Sequence, residues 1–204
     1  MEKETGRLEA FSDGVFAIAI TLLVLELKVP HQANGEAVNS AALRSSLLRQ
    51  WPSYLALATS FFTVLIMWVH HHTIFKLVRR ADARLLFANG LLLLLVSVVP
   101  FPTAVVAEYL ATPAASAACE LYALVFVLIS LAFYLTMWFA FRESTLNPDA
   151  SRKTVERFRR DYKLGPPLYT SAVIAAPFSP LLSMGICTAL WIFWAITTGD
   201  CVED

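Results

Sequence analysis

The side chains in this sequence that can do chemistry fall into two groups. Ser12 and Asp13 stand near the head of an apolar run that extends to Leu27, and His70, His71 and His72 close a second run that also carries Trp68. A hydroxyl, a carboxylate and three imidazoles offer catalysis, a metal centre, or a hydrogen-bonded network that locks helices together. Catalysis is poorly supplied, because no second positioned carboxylate, G-x-S-x-G turn or H-E-x-x-H sequence accompanies them. A zinc site is disfavoured by ligands on consecutive residues, which diverge by about 100° on a helix. The expectation is therefore no enzyme, no metal and no cofactor. A network remains. An unpaired Asp at the depth of Asp13 costs about 2–3 kcal/mol on insertion scales, so it calls for a partner. The imidazole N–H of His71 or His72, the indole N–H of Trp68 and the amide of Asn89 are the available donors.

The elements that must position these groups are membrane spans. Hydrophobic residues make up 57% of the 204 and charged ones 16%, and the mean hydropathy is +0.61; a soluble domain is far more polar. The fold class is all-α and polytopic, a single transmembrane domain over 1–204 with spans near 8–28, 51–72, 85–107, 113–141, 165–179 and 181–198. The first run lacks a small-residue cleavage site and is read as a retained span. Between it and the second, Val29 to Arg49 is polar, a loop with room for a short helical turn. Pro100 and Pro102 should kink or end the third span. The last apolar block is long for one crossing and short for two; Pro177 and Pro180 favour a tight hairpin of two short helices, and five crossings stay open. Cys119, Cys187 and Cys201 form no disulfide framework.

Cation placement gives the sidedness. With six spans, thirteen of the sixteen Lys and Arg residues lie at the N-terminus and on the connectors after spans two and four, and only Lys28, Arg44 and Arg49 lie opposite. The positive-inside rule then puts both termini in the cytoplasm of a multi-pass protein of the cell membrane. A formal net charge of zero suggests no nucleic-acid partner. The hydrophilic stretch from Arg142 to Lys163 reads as a solvated helical connector against which lipid head groups can lie. In this topology Asp13, Asn89 and the Trp68–His72 turn share a depth at the cytoplasmic ends of the first three spans and can meet. Helical period also separates two faces of span one: Ile18, Thr21, Leu22 and Leu25 point one way, while Ser12 and Asp13 lie more than about 100° off. Spacing alone gives that first face to lipid or to core packing.

The sequence Arg7-x-x-x-Phe11-Ser12-Asp13, followed by GVFAIAITLLVLEL, resembles the bacterial members of the transmembrane protein 175 family, relatives of potassium channels of endosomes and lysosomes. Trp68-Val-His-His-His-x-x-Phe75, Asn89 and the Pro100-Phe101 pair support the resemblance, which in the last hundred residues rests on hydropathy alone. It implies six helices per subunit and a homotetramer around one pore lined by helix one. It further implies that Arg7, Phe11, Ser12, Asp13, Trp68, His71 and Asn89 hold helices one to three together, with His71 the first choice as partner of Asp13. Ile18 becomes the principal constriction and Thr21, Leu22 and Leu25 the neighbouring rings. The partners implied are further copies of the chain, membrane lipids and permeating potassium ions. No T-V-G-Y-G-like filter occurs and no acid falls on the presumed pore face, so selection is expected at an apolar ring, where potassium loses hydration more cheaply than sodium. The alternative is a secondary transporter with broken helices three and five, which predicts a pathway within one subunit.

Overall fold

The computed structural model describes residues 5–30 and 39–202, with side chains described to residue 197. These residues are helical almost throughout: α1 (Gly6–Leu22) runs into a 3-10 turn at Leu23–Glu26, then α2 (Ser40–Arg49), α3 (Trp51–Lys76), α4 (Ala83–Val98), α5 (Pro100–Tyr109), α6 (Ala115–Ala140), α7 (Arg152–Asp161), α8 (Gly165–Ala175) and α9 (Pro180–Val202). Among the described residues, five stretches are long and apolar enough to cross a bilayer: Gly6–Glu26, Trp51–Lys76, Ala83–Tyr109, Ala115–Ala140 and Pro180–Thr197. The chain is an integral membrane protein. The short α8, 11 residues long, spans about 16 Å at the helical rise, half of a hydrocarbon core about 30 Å thick. It turns at 176–179, where Ser179 Oγ accepts from the Leu182 backbone N–H and starts α9.

α3 lies at the centre, with α1, α5 and α9 around it. α1 also packs on α4; α6 joins α4 and α5 to α8 and α9. The break between α4 and α5 has a local cause. Pro100 and Pro102 remove two N–H groups, yet Val99 keeps a helical backbone, so the span continues through the interruption. The Val99 carbonyl there is the end of a buried hydroxyl chain. Thr103 Oγ1 donates to it at 2.8 Å, which leaves Ser60 to donate to Thr103 at 2.7 Å and Tyr122 to donate to Ser60 at 3.0 Å. α3, α5 and α6 are thus tied at mid-depth. Tyr122→Phe should remove one hydrogen bond and about 1 kcal/mol of stability; thermal unfolding in detergent reads the loss.

The stretch after the first span holds a ten-residue helix, α2, capped by Asn39, whose Oδ1 accepts from Ala42 N–H at 2.8 Å. It buries no side chain. Residues 31–38 of that stretch lie outside the described set. Just after the 3-10 turn, Lys28 Nζ donates to Glu108 at 2.7 Å, both side chains well exposed. The hydrogen bond and charge of Glu108 raise the Lys28 pKa, and a pair so exposed adds little stability.

The two basic connectors are zipped together. An isolated antiparallel bridge joins Val78 and Leu146, Arg79 N–H donates to Thr145 O at 2.9 Å and Asn147 N–H to Leu77 O at 2.8 Å. Thr145 is fully buried, its hydroxyl among the carbonyls that end α6. α7 follows as an amphipathic helix whose Val155 and Phe158 are buried, Phe158 meeting Phe141 with ring centroids 5.9 Å apart.

Candidate functional site

The polar residues that the sequence singled out on α1, α3 and α4 come together, with partners that helical spacing did not give. His71, 1% exposed, sits between Phe16 and Phe75, with ring centroids 5.3 and 4.4 Å away. Its Nε2 is 2.8 Å from Asn89 Oδ1; an amide oxygen only accepts, so the imidazole donates. Asn89 Nδ2 in turn donates to Ser12 Oγ at 3.0 Å, and Ser12 donates to the Leu8 carbonyl at 2.8 Å. One directed chain therefore runs from α3 through α4 into α1, every side chain in it buried.

Asp13 stands outside this chain. Its Oδ1 accepts from Trp68 Nε1–H at 2.8 Å, which corrects the expectation that His71 is its partner. Asp13 is exposed at the edge of α1, where the longer indole reaches it while the shorter imidazole of His71 is held inward against Asn89. His72 lies on the Trp68 ring, 6.0 Å between centroids and 18° between planes. His70 points away from both: Tyr162 lies 2.9 Å from its Nδ1 and the Trp194 carbonyl 3.3 Å from its Nε2. That contact to α9 and the segment after α7 has no spacing signal in the sequence. A consecutive histidine triplet only says that the three rings diverge. Among the described residues, no group of three or more His, Cys, Asp or Glu side chains gathers as a metal site.

Arg7 and Phe11 are not part of this network within the subunit. Both are exposed, and at about 100° per residue they fall within roughly 20° of Ile18. Ile18, Thr21, Leu22 and Leu25 are exposed with them, Ile18 by 60% and Leu25 by 69%. The buried residues of the helix, Ser12, Phe16, Ala19 and Leu23, point about 130° from Ile18. Between the Ile18 direction and Asp13 lie Ala10, Gly14 and Ala17, small and exposed; a Cβ added at Gly14 would meet nothing within 4 Å. Thr21 donates its hydroxyl proton to the Ile18 carbonyl at 2.9 Å, which leaves its oxygen lone pairs free to accept. A helix that crosses the membrane with only 22% of its apolar window buried is held by its own subunit along one narrow side.

Known proteins resemble this chain in sequence and fold. The family described as endosomal/lysosomal potassium channel TMEM175 matches residues 7–100, the region that contains the α1–α3–α4 network. A Chamaesiphon minutus protein named a potassium channel is 49% identical over 197 residues, covering 96% of this chain and 95% of that relative. A Streptomyces collinus protein, also named a potassium channel, is 46% identical over 183 residues, 86% of each. The crystal structure described as a lysosomal potassium-selective channel TMEM175 homolog from Chamaesiphon minutus superposes with a TM-score of 0.86 at 48% identity, covering 96% of this chain and 98% of that one. These are channels and not enzymes. With near-complete coverage at nearly half identity, and with its polar clamp inside the matched region, the chain belongs to the TMEM175 family.

Proposed function

We propose that this protein is a potassium-preferring cation channel of the cell membrane, a homotetramer whose pore is lined by α1 of each subunit. The observation that carries this reading is the open side of α1: an apolar stripe through Phe11, Ile18, Leu22 and Leu25 that the subunit leaves uncovered. α9 is buried as little, but its open positions are large aliphatics such as Leu181, Leu182 and Ile196, suited to lipid. The open side of α1 instead sets the small residues Ala10, Gly14 and Ala17 beside the stripe, a surface that permits close approach of a neighbouring helix. An apolar groove lined by Thr21, Val24, Tyr54 and Phe61 continues that surface onto α3. Six crossings per subunit, the fifth made by the short α8 and its turn, place both termini in the cytoplasm and keep the two cation-rich connectors on one side.

In this reading Ile18 forms the narrowest ring, with Thr21, Leu22 and Leu25 forming the rings beyond it, and the network of Ser12, Asp13, Trp68, His71 and Asn89 holds α1 at the angle the ring requires. An aliphatic ring admits the cation that loses or deforms its hydration shell at least cost, and potassium is favoured over sodium on that ground. The Thr21 oxygens, their protons committed to Ile18 carbonyls, can replace part of the lost water. Reconstituted channels under opposed potassium and sodium gradients should reverse near the potassium equilibrium potential. Equal permeability would sink the selectivity assignment, and a monomer by native mass in mild detergent would return the molecule to the transporter alternative, with its pathway inside one subunit.

A further inference from the structure

The zipped cytoplasmic connectors create a groove that ion conduction leaves without a task. It lies at the foot of α6, between the first turn of α4 and the end of α7, with a volume of about 840 Å³. Four cations line it: Arg84, Arg142, Arg159 and Lys163. Arg159 is partly committed, since its Nη2 donates to the Phe141 carbonyl at 2.8 Å and pins α7 to the end of α6. Among the described residues no ion pair joins Arg84, Arg142 or Lys163 to a carboxylate. Two acids also line the groove, Asp82 and Glu143. The Asp82 Oδ1 accepts from the Leu85 backbone N–H at 2.8 Å as the cap of α4. Four cations against two carboxylates leave an excess of two positive charges.

The groove also has an apolar approach. Tyr134 and Trp138 form its wall toward the membrane, their rings 6.3 Å apart, in the position an aromatic residue takes at a bilayer interface. Above them on the same face of α6, Leu124, Leu128, Leu131 and Leu135 are exposed at spacings of four, three and four residues. This leucine stripe descends into the cationic pocket, so one surface offers hydrocarbon contact above and positive charge below. A ligand matched to both has acyl chains and a phosphate.

We infer that this groove binds an anionic phospholipid, its phosphate held by Arg84, Arg142 and Lys163, its glycerol backbone against Trp138 and its chains along the α6 leucines. The bound lipid bridges the α3–α4 and α6–α7 connectors from the membrane side, where Thr145 joins them from within. The site is independent of which face of α1 lines the pore.

Native mass spectrometry of the full-length protein tests this with dioleoyl phosphatidylglycerol, dioleoyl phosphatidylcholine and glycerol 1-phosphate as probes. The phosphatidylglycerol should remain bound, one per subunit, while the zwitterionic lipid with the same chains and the chainless phosphate should not. The combined variant Arg84→Gln/Arg142→Gln/Lys163→Gln should bind phosphatidylglycerol weaker by on the order of a hundredfold, and Arg142→Gln alone by about fivefold, from the attraction each cation contributes near an anionic lipid. The single variant serves should the combined one not fold. Arg152→Gln, on the same connector but outside the groove, should leave binding unchanged. Equal retention of the two lipids would overturn the assignment, as would unchanged affinity in the Arg142→Gln variant. Glycerol 1-phosphate bound as tightly as the lipid would make the site one for soluble phosphates.

Discussion

Ile18→Asn is expected to raise single-channel conductance by roughly tenfold, a lowering of the barrier by about 1.4 kcal/mol, and to bring the potassium and sodium permeabilities close to each other. Ile18 is 60% exposed in the subunit, on the side of α1 opposite its buried face, so the substitution disturbs no packing inside the bundle. In the proposed homotetramer it replaces four aliphatic side chains with four amides. These supply carbonyl oxygens to both cations and remove the dry ring on which discrimination by hydration rests. Sodium gains more, because its tighter shell is what the apolar ring resists. Recordings from reconstituted wild type and variant read both quantities. Unchanged conductance and an unchanged reversal potential would move the constriction to another face of α1.

Asn89→Leu should destabilise the subunit by about 2–3 kcal/mol, mostly through His71. That imidazole is 1% exposed and donates to Asn89 Oδ1; without the amide a buried N–H is left unmade, at a cost of about 1–3 kcal/mol. Ser12 also loses the donor that reached it from α4, although it retains the Leu8 carbonyl. The double variant Asn89→Leu/His71→Phe should recover much of the loss, because removing both partners together leaves no orphan. Thermal unfolding in detergent of the two single variants and the double one gives the coupling. Additive losses would mean that His71 and Asn89 do not depend on each other, and that the network does not hold α1, α3 and α4 together. Asp13→Ala tests the second branch, where loss of the Trp68 contact should lower folding yield or the assembled fraction before it alters permeation.

The sequence alone established that the chain is helical and crosses the membrane several times, because hydropathy and span length are local properties. It also put Ser12, Asp13, Trp68, His71 and Asn89 at one depth, since the rise per residue converts position into height. Direction was legible for α1, whose helical period separated Ile18, Thr21, Leu22 and Leu25 from Ser12 and Asp13. Period gives only the angle within one helix. The rotation of α3 against α1 and α4, and the reach of each ring, decided that Trp68 and not His71 meets Asp13. The same limit hid the contacts of His70 with Tyr162 and Trp194, and the Ser60–Thr103–Tyr122 chain, whose members lie up to 62 residues apart.

Arg7 and Phe11 show the limit from the other side. The family resemblance grouped them with the Ser-Asp pair, but in the folded subunit they stand exposed with Ile18, because adjacency in a motif is not adjacency on a helix face. Tertiary structure likewise joined the connector after α3 to the stretch after α6 that reads as a solvated connector, making one groove by pairing Val78 with Leu146. The apolar pattern sufficed to determine membrane residence, which follows from transfer free energy residue by residue. Which side chains meet was decided only by packing, since a hydrogen bond needs its two partners within about 3 Å and correctly aimed.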